Sequence, residues 1–266
     1  MPDVQARDDP RCLAIQRVGV KRLRWPLDVS IGGRAQQVAA QWDLAVALPA
    51  HVRGAHLSRL VAWLDQLPSP IDAAVLHTQF AAMLVMLGAQ EGQVDVRFPF
   101  FLRKRAPVSG VTSLLDYQGR WIAETQDGRT TLWAEVGVPV KSLCPCSKEI
   151  SDHGAHNQRS LVTIRAELAQ PVEWQELVRF AEDSASSEIW PLLKRADEKW
   201  VTERAYENPK FVEDLVRDVA LRLEAEPRIG RYRIEVENFE SIHNHSAYAR
   251  IERDVGPAAR RNASTA

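Results

Sequence analysis

Apolar residues along this chain switch between two spacings, and the switch recurs. Trp42, Leu44, Val46 and Leu48 fall two apart, the alternation that turns one face of a strand into a core. Residues 13–24 share this strand character. Gly32-Gly33 between the two segments suits a turn, so the pair reads as a long hairpin. Leu57, Leu60, Val61 and Leu64 then follow the i, i+3, i+4, i+7 pattern of a helix. Ser69-Pro70 offers an N-cap and a first-turn proline for a second helix, which carries Ala74, Phe80, Met83, Leu84 and Leu87 and stops near Gly88. Strand segments return at 93–103, 111–117, 119–125 and 130–140, the last two around the turn Gln126-Asp127-Gly128. A strand at 159–168 is followed by helices at 173–185, 188–204 and 209–224 and by strands at 231–238 and 245–253. Asn208 and Pro209 are the expected cap and first residue of the third of these helices, which buries Phe211, Val212, Leu215, Val216, Val219 and Leu223.

The order is thus strands, helix pair, strands, and then strands, helices, strands. It predicts an α+β chain of two tandem units of similar plan, 1–110 and 111–254, meeting near Arg105-Ala106-Pro107-Val108-Ser109-Gly110. No residue-level repeat accompanies the duplication. The first ten residues and the segment 255–266 read as flexible ends. A length of 266 residues suits one large domain or two small ones, and 45% hydrophobic with 26% charged residues excludes a disordered chain. A net charge of -1 excludes a broad basic surface for nucleic acid, though not a local basic pocket. No run of about 18 apolar residues is present, so no membrane span is expected. The polar, acidic start does not read as a secretory signal. Three cysteines, Cys12, Cys144 and Cys146, do not make a disulfide framework and point to a reducing cytoplasm.

Chemistry concentrates in four clusters. The densest is 142–159, with two thiols, two imidazoles (His153 and His156), Lys148 and Arg159 between two strands, where loops commonly carry function. Thiolate and imidazole suit Zn²⁺ and related divalent metals. Cys-Pro-Cys is too tight for a two-cysteine zinc knuckle, so one cysteine with a histidine 9 to 12 residues on is the natural pair. A third ligand would come from a distant segment, leaving an open position for water. The competing view is a surface loop with incidental cysteines. In the second cluster, 237–245, His243 and His245 point the same way on an extended chain and could bind metal or phosphate or move protons near neutral pH; the alternative is an exposed polar strand end. The third, 197–214, is mostly a solvated helix face, with Glu213 at the flank of the apolar side where a carboxylate can be partly buried. In the fourth, 53–59, helix N-terminal amides with Arg53 and Arg59 could hold phosphate, although no P-loop glycine pattern is present.

Together these clusters resemble the type IB GTP cyclohydrolase I family. The resemblance rests on Cys-Pro-Cys-Ser-Lys-Glu-Ile-Ser at 144–151, Gly-Ala-His-Asn-Gln-Arg-Ser at 154–160, Tyr-Glu-Asn-Pro-Lys-Phe-Val-Glu-Asp at 206–214 and Glu-Asn-Phe-Glu-Ser-Ile-His-Asn-His at 237–245. Pro-Asp-Val-Gln at 2–5, Gly54-Ala55-His56-Leu57-Ser58-Arg59 and Pro107-Val108-Ser109-Gly110-Val111 add to it, so that it covers about 2–254. Leu57 stands where methionine is expected, a volume-conserving change.

The resemblance implies a tunnelling fold in a homotetramer. It implies conversion of GTP and water to 7,8-dihydroneopterin triphosphate and formate, the entry to tetrahydrofolate. It places metal ligands on Cys144, His156 and Glu198, with zinc or manganese as the metal, and a guanine-holding carboxylate on Glu213. Residue chemistry agrees: an ionised carboxylate offers two acceptors to guanine N1–H and its 2-amino group, His243 and His245 suit acid–base work, and Lys148, Arg53, His56 and Arg59 are candidates for the substrate's polar and phosphate groups. Cys146 reads as a supporting thiol and Cys12 as a bystander. Two rivals stand beside this: a related tunnelling-fold nitrile reductase of deazapurine metabolism, which uses a thioimide-forming cysteine and a nicotinamide, and a non-catalytic metal-stabilised binding protein.

Overall fold

A computed structural model of the chain describes Gln5 and residues 7–255. The segment 256–266, most of the expected tail, lies outside the described residues, as do Pro2, Asp3 and Val4 of the N-terminal motif. The elements are β1 (Ile15–Ile31), β2 (Arg34–Leu48), α1 (Leu57–Asp65), α2 (Ala73–Leu87), β3 (Gly92–Arg105), β4 (Thr112–Gln126), β5 (Arg129–Leu143), α3 (Pro145–Ile150), β6 (Asn157–Leu168), α4 (Trp174–Glu182), α5 (Arg195–Glu207), α6 (Val212–Ala225), β7 (Ile229–Asn238) and β8 (Ala247–Asp254). The strands form an antiparallel sheet whose order is the chain order, β1 to β8. Two compact units divide the chain, one of residues 1–99 and 120–133 and the other of 100–119 and 134–266.

In the first unit, β1 and β2 make the expected long hairpin, closed at Ile31 and Arg34. Gly32 and Gly33 take φ of 56° and 73°, which glycine adopts without a steric penalty. Trp42, Leu44 and Val46 are buried as their alternation requires, and Trp63 of α1 meets Trp42 edge-on at 6.2 Å. One expectation fails here. Ser69-Pro70 does not cap the second helix: Ser69 Oγ donates to Asp28, and Ile71 bridges to Val29. The cap is Asp72, whose carboxylate accepts from the Val75 amide at 2.8 Å. A cap must accept from N2 or N3, and only Asp72 stands there once the chain has paired beside β1.

In the second unit, α4 and α6 bury Trp174, Leu177, Leu215, Val219 and Leu223. Phe100 stacks on Tyr117 at 5.5 Å and tilts against Trp174 at 5.2 Å. The two segments expected at 111–117 and 119–125 are one strand, β4, of which 112–119 belong to this unit and 120–126 to the first; Gly119 keeps both backbone hydrogen-bonding groups and so does not end the strand. Helix α5 begins at Arg195, later than the spacing predicts. Its start is set by Asp197, which is fully buried and accepts from the backbone amides of Val108, Ser109 and Lys194, each at 2.8 Å, and from Ser109 Oγ at 2.6 Å. Asn208 and Pro209 also differ from expectation. Asn208 closes α5 and donates to the carbonyl of Ala185 at 2.9 Å, while α6 starts at Val212 with Asp214 accepting from the Phe211 amide at 3.0 Å.

Candidate active site

The segment after β5, expected as loop, turns into the one-and-a-half-turn helix α3. Cys144 caps it, its sulfur 3.5 Å from the Ser147 amide, with Pro145 at the first helical position where no N–H is needed. Cys144 N–H donates to the His156 carbonyl at 3.1 Å, and the His156 amide donates to Ser147 Oγ at 3.1 Å. These bonds close the loop and carry His156 back beside Cys144, twelve positions along the chain. Behind them, the Leu143 amide donates to Ser186 Oγ at 3.2 Å and the Lys210 amide to the Leu143 carbonyl at 3.0 Å, so the end of β5 is anchored on both sides.

A cavity of about 350 Å³ opens there, wholly within the second unit. Cys144, Cys146, His156, Glu213, His243 and His245 line it, which joins side chains from three of the sequence clusters. His243 and His245 lie in a bent segment between β7 and β8 rather than on an extended strand, yet their rings stack at 5.1 Å and 14°. Glu213, in the first turn of α6, is exposed at the cavity rather than partly buried as expected. Four further lining residues carry hydrogen-bonding groups that sequence reasoning passed over: Gln158, Lys210, Asn238 and Glu240. His156 Nδ1 lies 3.1 Å from Gln158 Oε1 and 3.8 Å from a Glu240 oxygen. An imidazole whose Nδ1 proton is taken by an oxygen presents a bare Nε2, the arrangement that metal-binding histidines use. The Gln158 signal was its place two residues after His156, on the same side of the strand.

Other candidates are not brought into this cavity. Lys148 Nζ donates to the Tyr206 carbonyl at 2.6 Å and sits 4.4 Å over the Tyr206 ring. Glu198 is exposed on α5 and Arg159 is exposed on β6; neither lines the cavity. His153 is exposed in the loop. Arg53, His56 and Arg59 belong to the first unit. Both arginines are exposed, and half-buried His56 occupies the N-cap of α1 without a side-chain capping bond. For a divalent metal, the sulfur of Cys144 and the imidazole of His156 are suitable donors at one cavity. Among the described residues, no group of three His, Cys, Asp or Glu side chains is near enough to hold one. The described helices include none long and apolar enough to cross a membrane.

The fold is that of the tunnelling-fold proteins. Uricase from Arthrobacter globiformis superposes with a TM-score of 0.51 at 9% identity, covering 90% of this chain and 93% of its own. Urate oxidase from Bacillus sp. TB-90 matches with a TM-score of 0.51 at 8% identity, covering 90% and 100%. At that identity the likeness concerns the fold alone. Within that class the sequence is specific: residues 1–249 match the family model of type I GTP cyclohydrolase FolE2, and the chain belongs to that family. The GTP cyclohydrolase FolE2 of Methylibium petroleiphilum is 62% identical, with 96% of each chain covered, and that of Paraburkholderia xenovorans is 60% identical, covering 96% of this chain and 95% of its own.

Proposed function

We propose that this chain hydrolyses GTP to 7,8-dihydroneopterin triphosphate and formate, the entry step to tetrahydrofolate, in the cytoplasm and as a homotetramer. The observation that carries the reading is one cavity that gathers two thiols, three imidazoles and two carboxylates from distant segments of a chain of the FolE2 family.

Each group has a task. Glu213, in the first turn of α6, receives guanine N1–H and the 2-amino group on its two oxygens. Cys144 and His156, with Glu198 as the third donor by motif position, are the proposed holders of zinc or manganese. Such an ion would supply hydroxide near neutral pH by lowering the pKa of a bound water. Gln158 holds the His156 ring in one orientation. The stacked His243 and His245 are the proposed groups for the proton transfers that opening of the imidazole ring at C8 and loss of formate require. Arg53, His56, Arg59 and Lys148 are the proposed contacts for the triphosphate and ribose.

Formate release and pterin fluorescence are followed together from GTP, after chelation and after re-addition of Zn²⁺ or Mn²⁺. Formate and pterin in equal amounts, lost on chelation and restored by metal, are expected. NADPH-dependent turnover without formate would replace this reading by a reductase. Comparing metal content in Glu198→Gln and Glu240→Gln tests the third donor: retention of metal by Glu198→Gln and its loss from Glu240→Gln would move that role to Glu240.

A further inference from the structure

Four polar side chains lie buried side by side where the sheet would otherwise be apolar: Ser142 of β5, Gln158 and Ser160 of β6, and Asn238 of β7, exposed by 0%, 9%, 1% and 4%. Ser160 and Asn238 are directly paired across the ladder. The hydroxyls of Ser142 and Ser160 are 2.8 Å apart, and Ser160 Oγ donates to Asn238 Oδ1 at 2.7 Å. Ser160 has one proton to give, so the bond between the two serines uses the proton of Ser142, and the three groups form a directed chain that ends on the Asn238 oxygen. With Oδ1 turned to Ser160, Nδ2 is the end of the carboxamide left for other partners. Asn238 lines the cavity, its oxygen is committed behind it, and its Nδ2 has no hydrogen-bond partner among the described residues.

We infer that Asn238 is a specificity-determining residue that donates from Nδ2 to the 6-oxo group of the bound guanine, held in register by Ser160 and Ser142. The inference rests on the reading that GTP occupies this cavity. Glu213 can serve only the two donors of the guanine edge, N1–H and the 2-amino group. The next atom on that edge is O6, an acceptor, and it requires a donor from the protein. The other neutral carboxamide, Gln158, is tied to His156 at the reacting end, and Lys210 Nζ is already paired with Asp218. Asn238 is the carboxamide left to donate, and the cost of ordering it is met in advance because Ser160 holds it before substrate arrives.

The test compares kcat/KM for formate release from GTP, 6-thioGTP and ITP in the metal-loaded wild type, Asn238→Asp and Ser160→Ala. Sulfur is a poor acceptor, so the wild type should prefer GTP over 6-thioGTP by about fivefold to tenfold. Asn238→Asp keeps the shape and the acceptor that Ser160 needs but removes both N–H donors; its preference should fall below about twofold, while its preference for GTP over ITP stays as in the wild type. Ser160→Ala retains the amide but frees it to turn, and the preference should fall partway. A merely structural role would slow all three substrates alike. An unchanged GTP to 6-thioGTP ratio in Asn238→Asp overturns the inference and leaves the GTP reading standing; if Asn238→Asp does not fold, an unchanged ratio in Ser160→Ala does the same. No formate from GTP in the wild type overturns both.

Discussion

Lys104 is the most exacting place to test how the second unit is held. Its ammonium, with the side chain 8% exposed, sits 2.6 Å from an oxygen of Glu182, itself 3% exposed. It also pairs with Glu188 and lies 4.9 Å from the centre of the Trp190 ring. Tyr117 Oη donates to the same Glu182 oxygen at 2.9 Å. Burial pushes the Glu182 carboxyl up, and Lys104 pulls it back down. Lys104→Met keeps the length and the apolar stem and removes the charge, so Glu182 is left buried without its main counter-ion.

Breaking a buried pair from one side costs about 3–5 kcal/mol. Arg179, 3.5 Å from the other Glu182 oxygen and 52% exposed, offsets part of that, which favours the lower end, about 3 kcal/mol. For a urea slope of about 3 kcal/mol/M the midpoint should fall by about 1 M at pH 8. The sign with pH follows from the raised carboxyl. A folded-state pKa above the unfolded one favours the protonated, folded form, so stability is greatest below the unfolded value and is lost as pH rises through the folded one. The gap between variant and wild type should therefore narrow from pH 8 to pH 5. Lys104→Met/Glu182→Gln, which still accepts from Tyr117 without needing a counter-ion, should recover at least half of the loss. Urea melts of the three proteins at both pH values supply the measurement. A wild-type midpoint for Lys104→Met at pH 8 would refute the reasoning. The consequence reaches the cavity, because Glu188 closes the Ser184–Glu188 stretch whose Ser186 holds the Leu143 amide beside Cys144.

Three further outcomes are expected. Cys144→Ala should lose formate release and bound metal while keeping the wild-type far-ultraviolet spectrum; undiminished activity would remove Cys144 from the chemistry. Glu213→Gln loses one acceptor and gains a donor facing guanine N–H groups, so KM for GTP should rise by about tenfold or more in steady-state kinetics. For Asp197, burial raises the carboxyl, but the Ser109 hydroxyl and the amides of Ser109, Lys194 and Val108 outweigh it and hold the pKa well below the ordinary carboxylate range. A lowered folded-state pKa gives stability that is present above the unfolded value of about 4 and lost as pH falls through the folded one. The difference in melting temperature between wild type and Asp197→Asn should therefore be largest above pH 5 and shrink toward pH 2.

The alternation at Trp42–Leu48 and the helical spacing from Leu57 and from Phe211 identify strands and helices because a core-facing stripe must repeat with the period of its own backbone. Element ends were less legible. Ser69-Pro70 and Asn208-Pro209 have the composition of caps, but Asp72 and Asp214 take that work, because which acceptor meets a free amide depends on what the flanking chain packs against. Cys144, His156, Glu213, His243 and His245 were recognisable from residue type and motif, since thiol, imidazole and carboxylate announce their chemistry. Gln158, Ser160 and Asn238 were not, because a neutral polar residue gains its meaning only from its partner: on a strand pattern each reads as a solvated position, and only the pairing of β6 with β7 sets Asn238 against Ser160. The sequence alone thus determined most of the elements, the family and the candidate side chains, all of which depend on local period and residue chemistry. The tertiary structure decided which of them share one cavity, that Lys148 turns to Tyr206 and Glu198 to solvent, and which way the amides point, because distance and orientation between segments far apart in the chain are fixed only when the sheet closes its register.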